Sequence, residues 1–420
     1  MANFKVFHIN TWGGIGGAFI ASNRLHQALL NLGIESILGY GKALNGSDAS
    51  IKKSTHYQQL PKKYQKVENF LSRYTKRLGL NDIAKISSLF LNNEEEITNA
   101  DIINLHNLHS DYFSYLALPR LTSDKPAIWT LHDMWSFTGH CAYSYDCSRW
   151  KIGCGQCPYP NVQPAIRRDA TDWEWKLKNW VYNRSNLTIV TPSRWLGEQA
   201  KQSMLNRFAI HHIPYGIDTE AYQPIDQQLC RTVLGISHHK YVLMFGVQTL
   251  KDSRKGGDLL LKALALLPDS LKAETLLLTI GSGGEEIAKT VGISHMDLGY
   301  LDNDRLKSLA YSAADLLLFP TRADNLPLVL QESMACGTPM VSFNIGGVPD
   351  LVRPNQTGYL AQAENAQDFC QGIVQLLEDS SLREKMSANC RAIALEEYPL
   401  QLQAKRYIEL YQQVLAKQSS

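Results

Sequence analysis

The side chains best suited to chemistry in this 420-residue chain stand in short loops that follow apolar runs. Asp324 and Glu332 lie eight residues apart in Pro320-Thr-Arg-Ala-Asp324-Asn-Leu-Pro-Leu-Val-Leu-Gln-Glu332. Two acids at the exit of a strand can grip sugar or ribose hydroxyls, because carboxylates accept charge-assisted hydrogen bonds. Arg254 and Lys255 precede Gly256-Gly257 and a helix expected from about Asp258. Cations beside a helix N-terminus oppose its dipole unless an anion such as a phosphate lies between them, with solvated surface charge as the alternative reading. Gly13-Gly14-Ile15-Gly16-Gly17 after the first apolar run, and Gly346-Gly347 after a later one, offer backbone N–H groups to the same kind of ligand. The first of these is neither a Walker loop nor a dinucleotide fingerprint, and a tight turn explains it equally well. His132 directly follows the run Ala127 to Leu131, while His106 and His109 follow the run ending at Leu105. Histidines just after strands reach a ligand crevice, or else are buried structural rings.

Four of the eight cysteines, Cys141, Cys147, Cys154 and Cys157, crowd into a loop over 139–160 rich in Gly, Pro and Trp. Their spacing fits a closed tetrahedral zinc site that would fold a loop lacking its own core, with an iron–sulfur cluster, paired disulfides or unligated thiols as alternatives. Between residues 52 and 77 the chain sets Lys52, Lys53, Lys62, Lys63, Lys66, Arg73, Lys76 and Arg77 against Glu68 alone, interleaved with Tyr64, Phe70, Leu71 and Tyr74. That pattern suits peripheral contact with a membrane carrying a lipid-linked acceptor, or a solvated basic face.

The elements that must position these groups follow from periodicity. Lys5 to Thr11 reads as a strand, and Ala18 to Leu32 as a helix. Apolar runs recur at Ile34 to Leu38, Asp101 to Leu105, Ala127 to Leu131, Leu187 to Thr191 and Ala209 to Ile213. A second series comprises Tyr241 to Phe245, Leu276 to Ile280, Asp315 to Phe319 and Pro339 to Phe343. Strands alternating with helices predict an α/β protein with parallel sheets covered on both faces, here in two Rossmann-like halves. Pro214 to Gly235 is expected as the linker, which places a first domain at 1–215 and a second at 225–395. A long amphipathic helix closes the chain within 396–420. Formal net charge is +2, too small for nucleic acid to be an expected partner. No apolar run reaches the roughly 20 residues of a membrane span, and the N-terminus lacks a signal-peptide pattern, so a cytoplasmic location is expected.

The stretch Asp324 to Pro339 resembles the E-x7-E signature of the family 4 retaining glycosyltransferases. Gly16-Gly17, Thr191-Pro-Ser193, Ile213-Pro-Tyr-Gly-Ile-Asp218, Lys255-Gly256, Gly281-Ser-Gly283, Gly299-Tyr-Leu and Gly346-Gly-Val-Pro-Asp350 with Thr357-Gly358 are similar to other motifs of that family, in order. The resemblance implies a GT-B fold, with two Rossmann-like domains facing each other across a cleft. It further implies transfer of a sugar from a UDP- or GDP-linked donor to a glycan or lipid-linked acceptor, without a catalytic metal. By position, Glu332 would bind the donor ribose, Asp324 with Asn325 and Leu326 the donor sugar, and Arg254 and Lys255 the leaving diphosphate. His132 would face the sugar, and Gly16, Gly17, Gly281, Gly346 and Gly347 would line the donor. Leaving-group stabilisation is then the main task, and no general base is evident. The subgroup resembled is that of exopolysaccharide and colanic-acid synthesis, and the basic segment 52–77 suits a peripheral place at the inner face of the plasma membrane. A nucleotide-sugar epimerase or hydrolase, and a non-catalytic glycan-binding scaffold, are the other readings. The chain departs from the family in Asp324 for the usual Glu, Gln248 for a frequent Arg, and Tyr215 for a frequent Asn.

Overall fold

A computed structural model describes residues 4–14, 16–43, 54–56, 62–236, 241–247 and 252–418. The chain divides into two compact units, residues 1–216 with 401–420, and residues 217–400. Each is built around an entirely parallel sheet.

The strands of the first unit are β1 (Lys5–Gly13), β2 (Glu35–Ala43), β3 (Ser54–His56), β4 (Ile102–Leu105), β5 (Ala127–Thr130), β6 (Leu187–Thr191) and β7 (Ile210–His212), in spatial order β3-β2-β1-β4-β5-β6-β7. Strands β4 and β5 are buried at every residue, as expected of parallel strands covered by helices on both faces. The helix Gly17–Asn31 follows β1 directly and buries Phe19, Leu25 and Leu29. The last helix, Leu400–Gln418, belongs to this unit by its contacts. Its buried Tyr407 and Tyr411 hydroxyls lie 2.8 Å from Thr130 Oγ1 and Asn104 Nδ2, and Gln403 Oε1 accepts the Gly216 amide at 2.9 Å.

The second unit carries β8 (Tyr241–Val247), β9 (Thr275–Gly281), β10 (Ser294–Asp297), β11 (Leu316–Phe319), β12 (Met340–Phe343) and β13 (Gly358–Ala361), ordered β10-β9-β8-β11-β12-β13. Leu243, Phe245, Leu277, Leu316, Leu318, Val341 and Phe343 point from these strands into a core closed by Leu260, Phe369 and Ile373.

Both sheets reverse strand order beside the first strand of the unit, the topological switch point at which ligands of such sheets bind beyond the carboxyl ends of the strands. The two series of apolar runs become strands as expected. Three short strands, β3, β10 and β13, have no counterpart in the sequence reading. β10 is Ser-His-Met-Asp at a sheet edge, too polar and short to stand out.

The expected linker is corrected in one respect. Within Pro214 to Gly235 lies a helix, Gln227–Leu234, whose N-terminal Leu229 amide is capped by Asp226 at 2.7 Å and which ends on left-handed Gly235. Arg231 on that helix donates to Asp315 Oδ2 at 2.7 Å, so the segment is anchored within the second unit. Two turns of helix are too few for sequence periodicity to register. Among the described residues, no helix is long and apolar enough to cross a membrane.

Candidate active site

In the second unit, Arg254 and Lys255 close a short 3-10 turn, Ser253–Lys255, and Gly256 then turns left-handed (φ +70°) into the helix Gly257–Ala265. A Cβ on Gly256 would lie 1.8 Å from the Pro320 carbonyl oxygen, so glycine is required both by conformation and by contact with the loop after β11. That contact brings the two cations to Asp324. Lys255 Nζ lies 2.8 Å and Arg254 Nη1 3.1 Å from Asp324 Oδ2, and Arg254 Nη1 also donates to the Ala323 carbonyl at 2.8 Å. Against a burial that opposes it, Lys255 and then Arg254 hold the Asp324 carboxyl below its usual range, so it is ionised. An anion facing the two cations is thus present as a side chain of the protein itself. Arg322, which sequence reasoning passed over, braces the turn by donating to both carboxylate oxygens of Asp258 at 2.7 Å and to the Ser253 carbonyl at 2.7 Å.

Gly346 and Gly347 sit against the same loop. The Gly347 amide donates to the Asp324 carbonyl at 3.1 Å, and a Cβ on Gly346 (φ +55°) would meet that oxygen at 2.2 Å. The Asn325 amide donates to Asp324 Oδ1 at 3.0 Å, while Asn325 and Leu326 are themselves buried. Glu332 lies buried in the helix Leu328–Ala335, its Oε2 accepting from the Tyr311 hydroxyl at 3.1 Å. Gly281 ends β9, and its amide donates to Gly299 rather than to the Asp324 cluster. Gln248 lies outside the described residues.

In the first unit, Gly16 (φ +85°) caps the helix beginning at Gly17, and a Cβ at either position would meet nothing within 4 Å, leaving room beside their amides. His132 is buried rather than open. Its Nδ1 lies 2.6 Å from the Tyr215 hydroxyl and its Nε2 2.9 Å from His106 Nδ1, and His106 Nε2 in turn lies 3.0 Å from His8 Nδ1. His8, in β1, carried no signal in the sequence, and Tyr215 stood out there only as a departure from a frequent Asn, since nothing local marks either as a neighbour of His132. His109 stands apart in a pair with Asp133, Nε2 to Oδ2 at 3.0 Å, whose other oxygen accepts the Trp135 amide at 2.8 Å. The segment after His132 is tied down by fully buried Lys178, which donates to the Trp135 and Thr138 carbonyls at 2.7 and 3.0 Å and lies 3.7 Å from the Trp135 ring centroid.

Cys141, Cys147, Cys154 and Cys157 line one pocket with His140, Trp150 and Thr171. The Gly139 amide donates to Cys154 Sγ, and His140 Nε2 approaches Cys157 Sγ, both at 3.2 Å. The cysteines are not disulfide-bonded. Among the described residues no three His, Cys, Asp or Glu side chains are gathered closely enough to hold a metal ion, so the structure brings the four thiols to one pocket but not into a ligand sphere. In the basic segment, Lys52 and Lys53 lie outside the described residues. Most of the rest forms the helix Lys62–Arg77, which exposes Lys66, Val67, Phe70, Arg73, Tyr74 and Arg77.

Two parallel-sheet units, a cation–carboxylate cluster at a helix N-terminus and glycine loops beyond the strands define a GT-B type of protein. A family model described as glycosyltransferase family 4 matches residues 15–221, and one described as glycosyl transferases group 1 matches residues 232–392. Over 419 residues, 94% of this chain and 96% of the relative, the sequence is 25% identical to the colanic acid biosynthesis protein WcaC of Escherichia coli (strain K12), itself named as a glycosyl transferase. In fold, the chain is similar to sucrose-phosphate synthase of Thermosynechococcus elongatus, with a TM-score of 0.71 at 16% identity over 98% of this chain and 100% of that one. It is also similar to Anabaena HepE in complex with UDP-glucose, with a TM-score of 0.68 at 15% identity over 98% and 100%. The chain belongs to the group 1, family 4 glycosyltransferases and is a sugar-transferring enzyme.

The buried imidazoles predict an acid limit to stability. Burial, with neighbouring imidazoles adding to it, pulls His8 and His106 well below the ordinary histidine range, and burial pulls His132 to about 4. An unfolded chain takes up protons near pH 6.5 that the folded one refuses, so stability present above that pH is lost as pH falls from about 6.5 toward 4. The loss reaches about 1.4 kcal/mol per pH unit for each ring. His109, raised by Asp133 against the opposing effect of burial, has the other sign and loses its contribution as pH rises above 6.5. Thermal unfolding midpoints measured from pH 7.5 down to 4.5 should drop most steeply below 6.5, and a flat profile there would mean that the folded rings carry protons.

Proposed function

We propose that this enzyme is a retaining hexosyltransferase that moves a sugar from a nucleotide-sugar donor, UDP- or GDP-linked, to a glycan or lipid-linked acceptor in exopolysaccharide or cell-surface polysaccharide synthesis. The observation that carries it is the convergence of Arg254 and Lys255, which immediately precede the helix Gly257–Ala265, on one carboxylate. Departure of a nucleoside diphosphate leaves negative charge on the phosphate and an oxocarbenium-like sugar, and fixed cations at a helix N-terminus stabilise that charge without reorganising. Arg254 and Lys255 take the diphosphate, while Asp324 holds both cations through Oδ2 and offers Oδ1 to sugar hydroxyls. Asn325 and Leu326 continue that wall. Glu332 takes the ribose hydroxyls, the glycine loops at Gly346 and Gly347, at Gly16 and Gly17 and at Gly281 approach the donor, and His132 is assigned to the donor sugar. The likeness to WcaC supports the polysaccharide setting, and the nucleotide sugar held by HepE supports the donor class.

Purified protein offered UDP- and GDP-sugars, with and without a lipid-extracted acceptor fraction, should consume one donor, faster when the acceptor is present. Lys255→Ala and Arg254→Ala should each lower kcat/KM by about 10²–10³, and Glu332→Ala should weaken the thermal stabilisation given by the donor. A protein that no donor stabilises and that consumes none would overturn this assignment in favour of the scaffold reading.

Membrane contact through the basic segment fits the same acceptor. Phe70 and Tyr74 are 66% and 56% exposed on the helix Lys62–Arg77, flanked by exposed Lys66, Arg73 and Arg77. Aromatic side chains among cations suit the interface of an anionic bilayer, each cation contributing about 1 kcal/mol. Binding to phosphatidylglycerol vesicles but not to phosphatidylcholine ones is expected, weakened about a hundredfold by Lys66→Glu, Arg73→Glu and Arg77→Glu together. Equal retention on both vesicles would remove the proposal.

The four clustered cysteines are assigned to a structural zinc. Cys154-Gly155-Gln156-Cys157 turns with Cys154, Gly155 and Gln156 all at positive φ, and the Gly139 amide already donates to Cys154 Sγ, as such amides do when a thiolate needs support. Closing the four thiols on zinc asks for side-chain movement within one pocket. Protein purified without chelator should hold about one zinc per chain, lost on Cys154→Ser with a lower unfolding midpoint, and metal-free protein of unchanged stability would refute it.

A further inference from the structure

The row of histidines behind His132 has no part in sugar transfer as assigned above. His8, His106, His132 and Tyr215 come from β1, from the residues after β4 and β5, and from the end of the first unit, and they are joined in series by three hydrogen bonds. All four side chains are buried. Successive ring centroids lie 5.3, 5.2 and 5.5 Å apart with planes within 21° to 31°, so a tilt of one ring is passed to the next.

A neutral imidazole has one N–H and one lone pair, so a series of such rings has a single direction, and fixing one link fixes all of them. The His132 Nδ1 to Tyr215 Oη separation of 2.6 Å is below the usual N–H···O range and inside that of a hydroxyl donor. Tyr215 therefore donates to His132 Nδ1. His132 must then donate from Nε2 to His106 Nδ1 at 2.9 Å, and His106 from Nε2 to His8 Nδ1 at 3.0 Å. The proton left over falls on His8 Nε2, at the far end of the row, and that atom is buried without a hydrogen-bond partner among the described residues. Burial keeps the rings neutral, so the row stores no charge.

We propose that His106 and His8 are positioning residues that act through His132, and that His8, His106, His132 and Tyr215 form one directional unit with every imidazole protonated on Nε2. Tyr215, at the position where the family often has Asn, sets the direction. His132 is then a fixed ring whose lone pair is already engaged, and it does not serve as the base for the acceptor hydroxyl. The kinetic consequence rests on the assignment of His132 to the donor sugar, whereas the protonation pattern does not.

The test uses the full chain labelled with ¹⁵N-histidine. Two-bond ¹H–¹⁵N spectra at pH 7, assigned by single substitutions, should show His8, His106 and His132 all as Nε2–H forms. Tyr215→Phe should alter the protonation pattern of His106 and His8 as well as that of their neighbour His132. Both Tyr215→Phe and His106→Gln should lower kcat for donor consumption roughly tenfold, with KM for the donor within about twofold of wild type. An Nδ1–H form at any of the three rings in the wild type overturns the proposal, and so does a Tyr215→Phe spectrum unchanged at His8 and His106. Should His106→Gln fail to fold, the wild-type spectrum decides alone. The stated pattern in a protein that consumes no donor would uphold the directional row and overturn the transferase assignment instead.

Discussion

One carboxylate oxygen organises the second unit's site. Asp324 Oδ2 receives both Lys255 and Arg254, and its backbone carbonyl receives the Gly347 amide, so three loops beyond β8, β11 and β12 converge on a single residue. Withdrawing charges from water is costly, and such a cluster persists only when each group is matched. The result is a pair of cations held in fixed positions by the protein's own carboxylate. The cations lie at 2.8 and 3.1 Å from Asp324 Oδ2.

The first unit solves the opposite problem. His8, His106 and His132 are imidazoles that burial keeps neutral and that hydrogen bonds join in series, while His109 is paired with Asp133. The cation that does lie at its centre, Lys178, is spent on backbone carbonyls and the Trp135 ring, holding the segment that leads from His132 toward the cysteines.

Much of this was legible in the order of residue types. Apolar runs in parallel sheets are continuous because both faces are covered, so nine of the thirteen strands could be read directly after the first, and the loops at their carboxyl ends held Asp324, Lys255, Arg254, Gly346 and Gly347. Gly256 was readable as leading into a helix and Gly346 as a source of backbone amides, but the backbone oxygens that forbid a Cβ there belong to residues far along the chain. Short polar edge strands and the two-turn helix at Gln227–Leu234 gave too little pattern to find.

The sequence by itself determined the two-unit α/β architecture, the family and the chemical types present at each strand exit, since these depend on local periodicity and on motif order. Only the tertiary structure decided which of those groups meet. His8 and His106 are 98 residues apart, His132 and Tyr215 are 83 apart, and Asp324 and Lys255 are 69 apart. Their partnership follows from β1, β4 and β5 lying side by side in one sheet, and β8 beside β11 in the other. Strand order and register are set by packing across the whole sheet, and no window of sequence contains them.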